Sequence, residues 1–157
     1  MTALIAKSHF RRRAGAEAVR ELAGCKKVSV LVVEDDHGCR QSYEAVFRHP
    51  MLANCSVQFA DSVNEAMALI ATNVFDLCLL DYQLGSHTGS DLVREWRDFG
   101  YDMPFVCVSA HSDPEVDAEM QRLGAIGFVE KSESLNPVAL ERTIRYALSN
   151  YWRQRAA

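Results

Sequence analysis

The sequence predicts an α/β fold in which a five-stranded parallel sheet carries helices on both faces. Apolar, strand-like runs alternate with segments of helical periodicity in strict strand–helix order after residue 27. This alternation favours parallel strands joined by right-handed crossovers. The run from Leu77 to Leu80 is apolar at every position, which is typical of a strand buried on both sides. Both observations indicate a sheet that is covered by helices.

Each strand and helix has a local signal. Strands are predicted at 28–33, 56–60, 77–80, 104–108 and 126–129, and two of the helices at about 37–48 and 90–99. Ser62-Val63-Asn64-Glu65 has the form of a capping box and starts another helix. Asp113-Pro114 and Asn136-Pro137 each combine an N-cap with proline at the first helical position. The side chains expected to face the sheet are Tyr43, Val46, Phe47, Val63, Ala66, Met67, Ile70, Ala71, Leu92, Val93, Trp96, Val116, Met120, Leu123, Leu140, Ile144, Ala147, Leu148 and Tyr151.

The composition fits one domain with some chain to spare. Of the 157 residues, 48% are hydrophobic, so a proper core is expected and global disorder is not. No apolar run approaches the roughly 20 residues that cross a bilayer, and no secretory signal is visible. The five cysteines are scattered, without CxxC spacing, which predicts a reducing, cytoplasmic location and no cysteine metal site. No membrane partner is therefore expected.

The net charge of −4 divides unevenly along the chain. Residues 1–27 carry seven Lys or Arg against two Glu, giving +5, whereas the rest carries ten basic and nineteen acidic residues, giving −9. The sequence thus predicts a basic helical arm at 1–27 and a main domain at 28–157. Three interpretations of the arm stay open: a loosely attached helix with a solvated face, a homodimer contact, or a weak patch for an anionic partner.

Polar side chains stand at the ends of four predicted strands. Glu34 and Asp35 follow the first strand, Asp81 the third, Ser109 the fourth and Lys131 the fifth. Because the carboxyl ends of parallel strands lie on one edge of the sheet, these side chains should converge there. Taken singly, Asp81 could be a strand terminator, Ser109 a turn residue and Lys131 a surface lysine. Together they form a charge-balanced cluster.

The cluster contains the components for phosphoryl transfer to an aspartate. Carboxylates suit Mg²⁺, which prefers oxygen ligands and retains several of its waters. A hydroxyl and an ammonium beside such an ion can hold an anion, and a carboxylate can act as the nucleophile. No GxxxxGKS/T phosphate loop and no GxGxxG fingerprint occur in the sequence, and no catalytic triad is indicated.

Four segments in this order resemble the receiver domain of two-component response regulators. They are Val32-Val33-Glu34-Asp35-Asp36, Leu79-Leu80-Asp81-Tyr82, Val108-Ser109-Ala110 and Gly127-Phe128-Val129-Glu130-Lys131. The resemblance covers residues 28 to about 150. It implies a flavodoxin-like fold with strand order 2-1-3-4-5, an order taken from the family because a receiver domain is itself a standard example of it.

The resemblance implies a role for each acidic residue of the cluster. Asp81 is the expected phosphoacceptor. Glu34 and Asp35 are the expected acidic pair that holds Mg²⁺ together with Asp81, and the backbone carbonyl of Gln83 is a further expected ligand. Asp36 stands one place beyond the acidic pair, where it would support the ligands without binding the ion.

The same resemblance implies how the phosphoryl group is held and sensed. Lys131 is expected to pair with it, Ser109 to move and bond it, and Ala110 to leave it room. Ser109 and Phe128 are the expected switch pair, in which the aromatic ring turns inward when Ser109 is drawn toward the phosphoryl group. As phenylalanine, Phe128 lacks a hydroxyl for an outward hydrogen bond.

The sequence also departs from the family pattern. Gly85 stands where the family often has proline, and Ser132 follows Lys131 where proline, often cis, is usual, so a proline-specific lock is absent. Gln83 and His111 lie two places past Asp81 and Ser109, beside the path of the attacking water in receivers. They are expected to tune the lifetime of the phosphoryl group; the alternative is two solvated loop residues.

The expected function is a signalling switch rather than an enzyme. A sensor histidine kinase or phosphotransfer protein would donate the phosphoryl group, slow self-dephosphorylation would remove it, and an unknown downstream protein would bind the altered surface. No residues are left for a separate DNA-binding domain, so no nucleic-acid partner is expected. Two alternatives stay open: an interaction module of the same fold that works without phosphorylation, and a phosphotransferring enzyme with a small-molecule substrate.

Overall fold

The computed structural model describes residues 27–156. The basic arm and its expected dimer contact lie outside the described residues, apart from Lys27. The main strands are β1 (Val28–Val33), β2 (Cys55–Ala60), β3 (Leu77–Asp81), β4 (Phe105–Ser109) and β5 (Gly127–Glu130). The main helices are α1 (His37–Phe47), α2 (Val63–Thr72), α3 (Gly89–Asp98), α4 (Pro114–Arg122) and α5 (Pro137–Ala156). None of the helices among residues 27–156 has the length and apolar character needed to span a membrane.

The five strands form one parallel sheet in the order β2-β1-β3-β4-β5. This confirms the predicted fold class. Val33 pairs with Leu80, so Glu34 and Asp81 leave adjacent strands at the same level. Asp81 pairs with Val108, which brings Ser109 to the same edge of the sheet. The register therefore gathers the polar strand ends in one place.

The sheet is covered on both faces because alternate residues of each strand point to opposite sides. Leu77 and Leu79 pack in the layer of α1 and α5, whereas Cys78 and Leu80 pack in the layer of α2, α3 and α4. Both layers are apolar, so β3 has no polar position until Asp81. Asp81 is therefore the first polar side chain of this strand, and it lies at its carboxyl end.

The helix starts agree with the expected caps in part. Asp113 accepts hydrogen bonds from the backbone of Glu115 and Val116, as predicted for an N-cap. The capping box predicted at Ser62 is only half formed, because Glu65 accepts from the N–H of Asp61. The complete box is at Thr88 and Asp91, at the start of α3.

Most residues predicted to face the sheet are buried. Ala71 is an exception, because it lies on the exposed side of α2. Val116 and Leu123 are only half-buried, so Met120 is the fully buried residue of α4. The inward face of α4 is thus narrower than the sequence suggested.

Two short elements at the edge of the sheet were not predicted. Gln83–Leu84 and His87–Thr88 form an antiparallel hairpin directly after β3. Its two-residue turn has positive φ only at Gly85 (63°), which fits a type II′ turn with glycine at the first central position. The second element is a single helical turn, Lys131–Ser134, directly after β5.

Candidate functional site

The acidic side chains meet at the carboxyl edge of the sheet. Glu34 and Asp81 are 2% and 3% exposed, whereas Asp35 is exposed. One carboxylate oxygen from each of the three lies within 4.8 Å of the others. Three carboxylates this close repel one another unless cations are shared among them. The cluster is therefore built to hold positive charge.

Lys131 supplies one such charge. Its Nζ lies 2.9 Å from Glu34 Oε2 and 2.9 Å from Asp81 Oδ2. Burial lowers the pKa of this ammonium, but the contacts with Asp81 and Glu34 outweigh burial and raise the pKa overall. The lysine is thus held in its charged form, as a bridge between the ends of β1 and β3.

Glu34 carries the charge that is least compensated. Burial raises its pKa to about 7, and the nearby Asp81 charge adds to this, against the stabilising bonds from the Asp36 N–H and Lys131. One ammonium serves two buried carboxylates, so these three groups carry a net negative charge whenever both acids are ionised. That imbalance leaves room for a further cation.

The donor set fits a magnesium ion. Glu34 Oε2 and Asp81 Oδ2 are buried, and both depend on the same Lys131 ammonium, 2.9 Å from each. With Asp35 they provide three carboxylates, which are the hard oxygen ligands that Mg²⁺ favours. A divalent ion would satisfy these oxygens and remove their mutual repulsion.

Asp35 is held by the hairpin turn. The N–H of Gly85 donates to Asp35 Oδ2 at 2.9 Å, and Gly85 adopts a φ of 63°. A proline at this position would lack the N–H and could not adopt positive φ. The departure from the family pattern at Gly85 thus provides a backbone donor for one of the acids.

Gln83 lies next to the acids in the same hairpin. Its backbone N–H donates to Asp81 Oδ1 at 3.3 Å, and its side chain is exposed. The backbone of Gln83 therefore orients Asp81. The carbonyl ligand and the tuning role expected for Gln83 stay predictions.

Ser109 is engaged in its own loop. Its hydroxyl donates to the backbone carbonyl of His111 at 2.9 Å, so it must break this bond before it can contact a group on Asp81. Ala110 and the side chain of His111 are exposed, in reach of solvent at the same edge. Phe128 is 40% exposed, with its ring outward. The switch role expected for Ser109 and Phe128 stays a prediction.

Two sets of side-chain contacts near the site could not be predicted from the sequence. The Tyr82 hydroxyl donates to Glu119 Oε2 at 2.9 Å, and Arg94 contacts Glu119 Oε1 at 3.1 Å. The Tyr43 hydroxyl lies 2.6 Å from Ser134 Oγ. The partners are 37 and 91 positions apart for the tyrosine bonds, so no local pattern could have predicted them.

Comparison with protein families identifies a domain that covers most of the described residues. Residues 30–144 match the family model described as the response regulator receiver domain. The matched range contains every residue of the acidic cluster together with Ser109, Phe128 and Lys131.

Curated relatives include two transcriptional regulators. The chain is 30% identical over 106 residues to the alginate biosynthesis transcriptional regulatory protein AlgB of Pseudomonas aeruginosa, covering 68% of this chain and 23% of that protein. It is 27% identical over 124 residues to the transcriptional regulatory protein ZraR of Salmonella typhimurium, covering 79% and 27%. The chain thus spans about a quarter of the length of these relatives.

Solved structures share the fold. A CheY-like response regulator receiver domain from Methanospirillum hungatei matches with a TM-score of 0.69 at 21% identity, covering 82% of this chain and 99% of that one. The chemotaxis response regulator CheY4 of Vibrio cholerae matches with a TM-score of 0.67 at 25% identity, covering 78% and 99%. The described sheet and helices therefore correspond to a complete receiver fold.

Proposed function

The chain belongs to the response regulator receiver family, and on this basis we propose that it is the phosphoacceptor switch of a two-component signalling system. Asp81 takes a phosphoryl group from the phosphohistidine of a sensor kinase or phosphotransfer protein. The observation that carries the proposal is Lys131, whose ammonium bridges Glu34 and Asp81 at 2.9 Å beside a third carboxylate.

The transfer step needs an oriented carboxylate. One oxygen of Asp81 forms the bond to phosphorus while the phosphorus–nitrogen bond of the donor histidine breaks and the imidazole leaves. The Gln83 N–H and the Lys131 ammonium hold the two oxygens of Asp81 from different sides, which limits the geometries that the nucleophile can adopt.

Glu34, Asp35 and Asp81 would hold Mg²⁺, with the Gln83 carbonyl as a further ligand. When bound, the ion supplies positive charge against the phosphoryl oxygens as they approach the acids. Lys131 supplies positive charge on the other side. Its raised pKa keeps it protonated throughout, so it can exchange a carboxylate partner for a phosphoryl oxygen without releasing a proton.

The signal is a change of surface. A phosphoryl group on Asp81 offers oxygens that compete with the His111 carbonyl for the Ser109 hydroxyl. When Ser109 moves, Phe128 turns inward from its exposed position. The surface of α4, β5 and α5 then changes, and a downstream protein binds it.

Phosphorylation with a small acyl-phosphate donor tests the proposal. With Mg²⁺ present, intact mass should increase by one phosphoryl group in the wild type and in Asp98→Asn, a control of the same chemistry at an exposed aspartate at the end of α3. Asp81→Asn should gain none. If the wild type gains no phosphoryl group, or Asp81→Asn gains as much, the proposal is wrong.

A further inference from the structure

The turn that carries Lys131 contains no proline. Ser132 follows the lysine, and every peptide bond in residues 27–156 is trans. Lys131 opens a single helical turn that ends at Ser134. Its side chain nevertheless lies between two carboxylates, 2.9 Å from each, and this position depends on where the backbone of the turn lies. The contacts that hold the turn therefore influence where the ammonium lies.

Two buried hydroxyl groups connect in series to the backbone of Lys131. Ser134 Oγ donates to the carbonyl of Lys131 at 2.8 Å, and the Tyr43 hydroxyl lies 2.6 Å from the same Oγ. A serine hydroxyl has a single hydrogen. Because that hydrogen goes to the carbonyl, Tyr43 must donate to Ser134. The three groups form a directed chain from Tyr43 through Ser134 to Lys131.

The hydrogen-bonded hydroxyl groups of Tyr43 and Ser134 are enclosed in the protein. Ser134 is 0% exposed and Tyr43 is 2% exposed, and a buried hydroxyl is costly unless it is hydrogen-bonded. Burial also raises the pKa of Tyr43 to about 12, so its hydroxyl keeps its proton as a donor. The Lys131 carbonyl accepts the Leu135 N–H at 3.1 Å as well, which closes the helical turn.

Tyr43 belongs to the element that follows the acids. It lies on α1, which begins just after Glu34, Asp35 and the N-cap Asp36. The hydroxyl chain thus joins the helix behind the acidic residues to the turn that carries the ammonium. The hydrogen bond of Ser134 thus acts on the backbone from which the Lys131 side chain extends to Glu34 and Asp81.

We infer that Tyr43 and Ser134 are positioning residues for Lys131. Their two hydroxyl groups hold the backbone of the lysine in a chain that lacks the proline usually found after it in the family. The inference rests on the proposed function for its effect on phosphorylation. Its structural part concerns only the position of the ammonium, which can be measured separately.

Two substitutions remove the chain at different points. Tyr43→Phe deletes only the donor and keeps the ring, and Ser134→Ala deletes the central hydroxyl. Tyr151→Phe is the control, because Tyr151 is a buried tyrosine on α5. With an acyl-phosphate donor and saturating Mg²⁺, the phosphorylation rate should fall about three- to tenfold in Tyr43→Phe, the range expected for loss of one hydrogen bond. It should fall at least as much in Ser134→Ala, which loses two such bonds, and stay unchanged in the control.

Repeating the substitution in a Lys131→Met variant separates an effect on the position of Lys131 from a general effect on the fold. In Lys131→Met, Tyr43→Phe should cause no further loss of rate, since the group that it positions is gone. Equal rates in wild type, Tyr43→Phe and Ser134→Ala would overturn the inference. So would a loss of the same size in the Lys131→Met background.

Nuclear magnetic resonance of ¹⁵N-lysine protein measures the ammonium itself. The Lys131 signal should shift and exchange faster with water in Tyr43→Phe and Ser134→Ala, and not in Tyr151→Phe. An unchanged Lys131 signal in both variants would overturn the inference whatever the phosphorylation result. If the wild type takes no phosphoryl group, the proposed function fails, and the ammonium signal still decides the inference.

Discussion

At the level of single residues, the site is defined by an imbalance of charge. Lys131 compensates two buried carboxylates with one ammonium, and Glu34 is the partner whose pKa is raised, to about 7, first by burial. Metal ligands must be deprotonated to bind. Occupation of this site by a cation should therefore depend on pH near neutrality, which is unusual for a carboxylate cluster because the ordinary pKa of glutamate is far lower.

We predict that magnesium affinity falls as the pH is lowered from 8 to 6. Across this range Glu34 passes from mostly ionised to mostly protonated, because its pKa lies at about 7. The fall should be about tenfold for one proton. Titration calorimetry with Mg²⁺ at several pH values measures it.

The control for this prediction is Glu34→Gln, which cannot ionise. Its affinity for Mg²⁺ should be weaker at every pH and nearly constant between pH 6 and 8. If Glu34→Gln keeps the tenfold change, another group causes the pH dependence, and Glu34 is not the uncompensated residue.

At the level of elements, the start of α3 packs against the loop after β3 and limits its position. A Cβ added to Gly89 would lie 2.9 Å from the backbone oxygen of Asp81 and 3.1 Å from Leu80 Cγ. The Gly89 N–H also donates to the Tyr82 carbonyl at 2.7 Å. The first residue of α3 therefore lies directly against the Asp81 backbone, and the start of the helix limits where the loop after β3 can lie.

Gly89→Ala should lower the free energy of unfolding by about 1–3 kcal/mol, because the new methyl group overpacks against backbone that cannot easily retreat. Urea denaturation measures the loss. Gly127→Ala is the matched control, since its Cβ would meet nothing closer than 3.9 Å. A loss in Gly89→Ala no larger than in Gly127→Ala would show that the loop can retreat.

For the whole molecule, the sequence could predict features that depend on neighbouring residues, but not contacts between residues far apart in the chain. Strand β3 is predicted by its continuous apolar run and the helices by their periodicity, whereas Asp81 and Lys131 are indicated by their places at strand ends. The hairpin of Gln83–Leu84 and His87–Thr88 is too short for any period. The bond from Tyr43 to Ser134 depends on packing between α1 and the turn after β5, which only the folded chain brings together.

The hydrogen bond of Tyr82 connects the carboxyl edge of the sheet with the helices packed beside it. Tyr82 follows Asp81 directly, and its hydroxyl donates to Glu119 on α4, which Arg94 of α3 also contacts. Arg94 is half exposed, so its ion pair adds little stability. The half-buried tyrosine bond is the stronger link, and movement of the loop should be transmitted through it to α4.

Tyr82→Phe should uncouple α4 from the loop while leaving the acidic cluster unchanged. Loss of the hydrogen bond, worth about 0.5–1.5 kcal/mol, should speed hydrogen–deuterium exchange in α4 but not in α2, because exchange reports the local free energy of opening. Tyr146→Phe, at a tyrosine that is 64% exposed, is the control and should change neither helix. Unchanged exchange in α4 of Tyr82→Phe would mean that Tyr82 does not link the site to this helix, and that any signal reaches α4 through Ser109 and its loop alone.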